Sequence, residues 1–270
     1  MSAQRFGAEP STFARRTILI VAVVAFLIPI LALFQFTLRK GQTGQLTLEH
    51  YASIVQPADA STYEVLWQGL GNSLVICVVT LAIVLLVLLP TMLLVELRYP
   101  KMRRWLEFVC ILPITVPTVV LVVGFVPVYS VVAGIFGSSP WTLAFAIGII
   151  VLPYAYRPMA VNLAAFEIVV LTEAARSLGA GWGSVIWRIV LPNLRRGIAS
   201  AVFITIAVVL GEFTIASFLS QNTFQTALIL LQQSDPYVAA IFALFALVLA
   251  FVLLLLIGRL GSLGRNRRTA

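Results

Sequence analysis

Residues that could carry out chemistry are scarce in this sequence, which has 10 acidic residues, one histidine and two cysteines among 270 positions. His50 alone cannot supply the several ligands of a metal site. Cys77 and Cys110 lie in apolar stretches, which favours packed thiols over a disulfide. Neither Lys40 nor Lys101 has the glycine-rich spacing of a phosphate-binding P-loop. We therefore expect no catalytic, metal-binding or cofactor-binding residue on this chain.

Three carboxylates lie in or beside strongly apolar stretches. Glu96 and Glu107 stand close to arginines near the ends of their stretches, which favours solvated or paired charges. Glu212 lies inside its stretch, and a charge at the centre of a membrane helix costs about 2.5–3.5 kcal/mol on insertion scales. Together with Thr214 and Ser217, it could line a path that favours a cationic substrate. Alternatively, it could be a structural hydrogen-bond partner of a broken helix or of a neighbouring subunit.

The composition is that of a membrane protein. Hydrophobic residues make up 61% of the chain and charged residues 10%, whereas a soluble domain is about half apolar and a quarter charged. Each membrane-spanning helix needs about 20 apolar residues. The apolar runs predict an all-α integral membrane protein with six transmembrane helices, and the prolines predict that the second and third helices are bent or broken. The predicted spans are 17–38, 70–97, 106–128, 141–160, 198–219 and 237–257.

The basic residues predict the orientation of the chain. Sixteen of the 18 lysines and arginines fall in segments on the same side as the N-terminus. Because positively charged loops stay in the cytoplasm, both termini are expected to be cytoplasmic. The charges are spread over four segments without a basic groove interleaved with aromatic residues, so they fit contact with membrane lipid and argue against nucleic-acid binding.

The loop between the fourth and fifth predicted spans, residues 161–197, is much longer than a helix hairpin requires, and such loops usually have a function. Helix-forming residues occupy 163–178, Gly179 and Gly181 follow, and 185–191 could begin another helix before Pro192. The pattern predicts a helix, a glycine turn and a second helix. Within it stands a spaced set of residues: Glu173, Ala174, Ala175, Gly179, Ile189, Leu191 and Pro192.

This set resembles the signature E-A-A-x3-G-x9-I-x-L-P of permease subunits of binding-protein-dependent ABC importers, and every position matches. Weaker similarities include Asn72 and Ser73 at the second span and the prolines of the third. The resemblance implies a MetI-like type I importer fold. It also implies that residues 1–270 form one transmembrane domain, with 161–197 as a cytoplasmic coupling loop.

The resemblance further implies that the loop forms a coupling helix that docks on an ATPase subunit. The residue types suit this role. Ala174 and Ala175 allow close approach of a partner, and Gly179 can adopt a positive φ and end the helix. Glu173 could pair with Arg176 or with the partner. The remaining motif residues are expected to anchor the return to the fifth span: Ile189, Leu191 and Pro192.

The function implied is that of a permease subunit, not an enzyme, in a prokaryotic plasma membrane. ATP would be bound by a partner dimer of ATPase subunits, and the other partners would be a second permease and an external solute-binding protein. Segments 210–219 and 234–236 look most similar to spermidine and putrescine permeases. Ferric iron, thiamine, sulfate, molybdate and phosphonate are alternative substrates. A secondary transporter or a membrane scaffold without transport activity is an alternative of another class.

Overall fold

The computed structural model describes residues 12–41, 45–55 and 60–262. Within these ranges the chain is helical apart from short turns and an isolated antiparallel bridge between Arg39 and Leu46. The α-helices are α1 Thr12–Thr37, α2 Glu49–Val55, α3 Ala60–Ile83, α4 Leu89–Arg98, α5 Arg103–Ile111, α6 Thr118–Phe136, α7 Leu143–Ala165, α8 Ile168–Ser177, α9 Trp182–Val185, α10 Leu191–Leu210, α11 Thr214–Phe218, α12 Phe224–Ser234 and α13 Pro236–Ser262.

Six helical stretches in the described part are long and apolar enough to cross a membrane, which confirms the predicted all-α fold with six spans. They are Thr12–Thr37, Tyr63–Arg98, Thr118–Phe136, Pro140–Ala165, Trp182–Phe218 and Pro236–Leu253. The predicted cytoplasmic location of both termini depends partly on charges in segments 1–11 and 263–270, which lie outside the described residues. The orientation therefore stays a prediction.

The third span was predicted wrongly at 106–128. The structure breaks this stretch into α5, a 3₁₀ turn at Leu112–Thr115 and α6, and only α6 is a span. Pro113 and Pro117 lack backbone N–H donors, and the residue before a proline is pushed towards extended backbone. Val116 accordingly has φ −104° and ψ 129°. The expectation that the prolines break this run is confirmed, although the position of the span is shifted.

The fifth predicted span, 198–219, lies in a helical stretch that is longer than predicted, because the helix begins at Trp182 and continues through Pro192. A π-helical turn at Ile186–Val190 precedes this proline, and Leu191 N–H donates to the carbonyl of Ile186. The second span has the same arrangement at Val84–Leu88, just before Pro90. Such widened turns satisfy backbone groups that a proline leaves unpaired inside a membrane.

The centre of the bundle is the packing of α10 against α7. Gly197 on α10 has no room for a side chain, since an added Cβ would lie 2.7 Å from Asn162 Cβ and 2.9 Å from the carbonyl oxygen of Pro158. Ala201 and Thr205 follow on the same buried face of α10. Small residues at a spacing of four allow helix backbones to approach closely in a membrane. These two spans also hold both ends of the long loop.

The opposite end of the bundle is closed by α12, which is fastened to α3. Asn72 Nδ2 donates to the carbonyl of Asn222 at 2.8 Å, and the backbone N–H of Phe224 donates to Ser73 Oγ at 2.9 Å. Gly69 allows the backbone at Thr223 to pack directly against α3, because an added Cβ would lie 2.7 Å from the carbonyl oxygen of Thr223. Asn72 and Ser73 thus hold the segment between the fifth and sixth spans.

The contact at Gly197 generates a stability prediction. Gly197→Ala forces the Asn162 side chain or the α7 backbone to move, and overpacking of this kind typically costs about 1–3 kcal/mol. We expect a free energy of unfolding lower by about that amount when the protein is unfolded with SDS in mixed micelles.

Gly124→Ala is the matched control, because Gly124 also lies inside a spanning helix and an added Cβ there meets no atom within 4 Å. Equal stability losses for the two variants would contradict close packing of α10 on α7.

Candidate functional site

The long loop is built around α8, which packs one face against its own chain. Ile168 and Thr172 are buried, and Ala175 packs against the main core of the bundle. These residues recur at the spacing of one helix face. Ala175 is partly buried and packs on the protein itself, and the prediction that Ala174 and Ala175 admit a partner subunit stays a prediction. Ala174 is exposed.

Gly179 ends α8 as the sequence predicts. Its φ is +87°, a conformation that residues with a side chain rarely adopt. Gly179 N–H donates to the carbonyl of Arg176 at 2.9 Å, and Ala180 N–H donates to the carbonyl of Ala175 at 3.0 Å. These two bonds form a Schellman motif, which satisfies the last carbonyls of the helix. An added Cβ would meet no atom within 4 Å, so the backbone conformation alone requires glycine.

Glu173 does not form the predicted ion pair with Arg176 in the described part of the chain. Arg176 instead places its guanidinium carbon 4.5 Å from the centroid of the Trp182 ring, a cation–π contact across the glycine turn. Glu173 is exposed. The remaining prediction, that its carboxylate pairs with a partner subunit, is untested.

The anchoring residues of the motif lie on a helix rather than on a returning loop. Ile189 belongs to the π-helical turn, and its carbonyl accepts a hydrogen bond from Asn193 Nδ2 at 2.8 Å. Leu191 packs against the main core, beside the buried Leu194. Pro192 is exposed. Of the three predicted anchors, Leu191 is therefore the one in contact with the core.

The outward face of α8 carries apolar residues that the sequence analysis missed. Val170 has 56% and Leu178 has 89% of its surface exposed. With Ala174, these residues follow a spacing of four and form one stripe, which we call the outer stripe of α8: Val170, Ala174 and Leu178. The spacing could have revealed the stripe, but only the structure shows which face of the helix is covered.

Glu212 lies where the fifth span breaks, between the end of α10 and the start of α11. Its Oε1 accepts a hydrogen bond from the backbone N–H of Ile215 at 2.6 Å, so the carboxylate caps α11. This hydrogen bond fits the alternative in which Glu212 is the structural partner of a broken helix, and the place of Glu212 on a substrate path is untested. Thr214 is half-buried and Ser217 is exposed. Their role in a substrate path is untested.

The other chemically capable residues have structural contacts. Cys77 and Cys110 are buried and free, as predicted. Glu96 Oε1 lies 3.4 Å from Arg103 Nη1, which confirms a paired charge. The ring of His50 stacks on Tyr237 with centroids 4.4 Å apart. Among the described residues, no group of three or more histidine, cysteine or acidic side chains could hold a metal ion.

A hydrogen bond between two charged residues lies outside the membrane spans, next to the bridge of Arg39 and Leu46. Lys40 Nζ donates to Glu49 Oε1 at 2.7 Å, and this bond and the lysine charge lower the pKa of the Glu49 carboxyl. Both side chains are largely exposed, so their contribution to stability is small.

These features define an all-helical, multi-pass membrane protein in which a short exposed helix lies between two tightly packed spans. Residues 89–262 match the family described as the binding-protein-dependent transport system inner membrane component. The match covers more than half of the chain and includes the whole loop, and the chain belongs to this family.

Two curated relatives show the range of substrates in similar proteins. The thiamine transport system permease protein ThiP of Escherichia coli (strain K12) is 30% identical over 219 residues, which cover 76% of this chain. The phosphate transport system permease protein PstC of Pasteurella multocida (strain Pm70) is 28% identical over 129 residues, or 46% of this chain. The matched part corresponds to 39% of the length of each relative.

The capping role of Glu212 can be separated from its charge. Glu212→Gln keeps an oxygen that accepts from Ile215 N–H, whereas Glu212→Ala removes it, and loss of a helix cap costs about 1 kcal/mol. We expect Gln to retain most of the stability that Ala loses, measured by SDS unfolding in micelles. A Gln variant as unstable as the Ala variant would show that the negative charge, rather than the hydrogen bond, holds this break.

Proposed function

We propose that this chain is a permease subunit of an ATP-driven ABC importer. One observation carries the proposal: α8 combines an inner face packed on the core with an exposed apolar outer stripe, in a loop whose motif matches that of importer permeases. A contiguous exposed apolar stripe such as Val170, Ala174 and Leu178 is a candidate interaction surface, whereas single exposed apolar side chains are common. The partner we assign to it is a cytoplasmic ATPase subunit, which binds the ATP.

The proposed complex contains two ATPase subunits, a second permease and an external solute-binding protein. ATP-driven closure of the ATPases moves α8, and the two permeases then change from an inward-open to an outward-open path. Rigid-body movement is the simplest mode. In this arrangement the permease provides the path and the docking surface, while the hydrolytic chemistry belongs to the ATPase.

We propose a small organic cation as the substrate, with thiamine and the polyamines spermidine and putrescine as the first compounds to test. The similarity to a thiamine permease over most of the chain supports thiamine. The resemblance of segments 210–219 and 234–236 to spermidine and putrescine permeases supports the polyamines. The acidic residue Glu212 fits both. The phosphate permease relative keeps an oxyanion as the second candidate.

Disruption of the outer stripe should uncouple transport from ATP hydrolysis. Leu178→Asp places a charge where an apolar contact is proposed, and Gly179→Asp strains the turn that ends α8. We expect either variant to reach the membrane at normal levels but to lose at least about tenfold in uptake, with less ATPase subunit retained on co-purification.

Leu46→Asp is the matched control, because Leu46 is also a highly exposed leucine but lies outside the loop, where it forms the isolated bridge with Arg39. Normal uptake and normal ATPase retention by Leu178→Asp would contradict docking at the outer stripe.

The transport proposal is tested by uptake of labelled thiamine, spermidine and putrescine into cells with and without this chain, in a strain that lacks other importers for these compounds. We expect ATP-dependent uptake of one of them to require the chain. Chain-dependent uptake that persists after ATP depletion and instead follows an ion gradient would favour a secondary transporter. Chain-dependent uptake of phosphate alone would replace the cation with an oxyanion.

A further inference from the structure

The third span, α6, is held away from its neighbour α7 along part of its length. Val122 is the buried residue of α6. A cavity of about 60 Å³ lies between the two helices, and its walls include Phe125 and Val128 of α6 and Ala146 and Ile149 of α7. Apolar side chains that face a gap lose dispersion contacts. Closure of α6 on α7 would therefore be favourable unless something holds the two helices apart.

The last turns of α6 are fixed to the start of the fourth span. Tyr129 Oη and Thr142 Oγ1 share a hydrogen bond of 2.9 Å. The ring of Phe136 contacts the rings of Trp141 and Phe145, with centroids 5.8 Å apart in each pair. Tyr129 and Phe145 also line the cavity. The two helices therefore separate directly beside the end at which they are joined.

The short helix α11 packs against both α6 and α7. Its side chains Ile215 and Ala216 are completely buried, and they belong to the same core as Val122 of α6. Phe125 packs against this core and also lines the cavity. Since α11 contacts both helices, it fills space that they would otherwise close, and it holds α6 apart from α7.

Both ends of α11 are bends in the chain. At its start the fifth span breaks, and Glu212 Oε1 accepts the hydrogen bond from Ile215 N–H. At its end Ser220 has a φ of +52°, the one positive value among the described residues other than glycine. Gln221 N–H then donates to the carbonyl of Ala216 at 2.8 Å. Strained backbone of this kind clusters at switch regions, and short bends serve as hinges. The two bends allow α11 to move as a unit.

We infer that α11 is a movable wedge that sets the distance between α6 and α7. While α11 is inserted, the cavity stays open. When α11 is withdrawn, α6 pivots about its fixed end and closes on α7. Because α11 follows the helix that begins at Trp182, a shift of that helix displaces the wedge. The wedge is a property of the fold, whereas its use in transport rests on the proposed function.

The rate at which a disulfide bond forms across the cavity measures this closure. Val128→Cys and Ile149→Cys place one thiol on each wall, and Cys77→Ala and Cys110→Ala remove the native thiols. A disulfide requires Cα atoms within about 7 Å of each other, so the bond forms when α6 approaches α7. The full chain is oxidised in membrane fragments with the subunits that accompany it, and the bonded fraction is measured by mass spectrometry after alkylation of free thiols.

We expect Ile215→Ala, which removes most of the buried side chain of the wedge, to increase the rate of bond formation severalfold. Addition of Ala146→Val should slow the bond again, because the larger side chain fills the cavity. Ile76→Ala is the matched control, since Ile76 is buried in the same core but lies on α3. This control should leave the rate unchanged.

An unchanged rate with Ile215→Ala would overturn the inference, as would an equal increase with Ile76→Ala, which would indicate general loosening of the core. Ile215→Val removes less of the side chain and should give a smaller increase, which decides the question if the alanine variant fails to reach the membrane. ATP added to the fragments separates the two proposals. A rate that rises with Ile215→Ala but does not respond to ATP supports the wedge and counts against an ATP-driven importer.

Discussion

The contact between Gly197 and α7 is the constraint on which the rest of the structure depends. Lipid tails are as apolar as leucine, so spanning helices associate through close packing rather than through the hydrophobic effect. At Gly197 the backbone of α10 lies directly against Pro158 and Asn162. Leu163 and Leu194 are buried just beside this contact. The two ends of the long loop are therefore held close together, and α8 can project from them as a defined surface.

Prolines shape the same region through the backbone hydrogen bonds that they remove. Pro90 and Pro192 each follow a π-helical turn, and residues of both turns line an open groove between α4 and the helix that begins at Trp182. A π-helical turn adds a residue to the turn and widens the helix locally. The small-residue packing of α10 on α7 has no counterpart between α4 and the helix from Trp182. The two π-helical turns, which satisfy the backbone groups left unpaired by Pro90 and Pro192, thus lie beside an open groove next to the long loop.

The sequence predicted the features that depend on local chemistry. Apolar runs revealed six spans, and Gly179 revealed the end of α8, because positive φ is a property of a single residue. Features that depend on packing were not predictable. Apolarity alone could not show that the third span starts only after Pro117, or that Ala175 faces inward while Ala174 faces outward. The cap made by Glu212 required knowing that the fifth span breaks at this residue.

The helix that begins at Trp182 connects the long loop, which carries α8, to the break in the fifth span at Glu212. It continues through Pro192 to Leu210, a length of about 40 Å at a rise of 1.5 Å per residue. Leu191 and Leu194, near its start, pack in the same core as the inner face of α8. A displacement of α8 therefore acts on this whole helix. The helix ends at the break that Glu212 stabilises, so in the proposed importer a force applied to the outer stripe reaches that break without crossing a flexible connection.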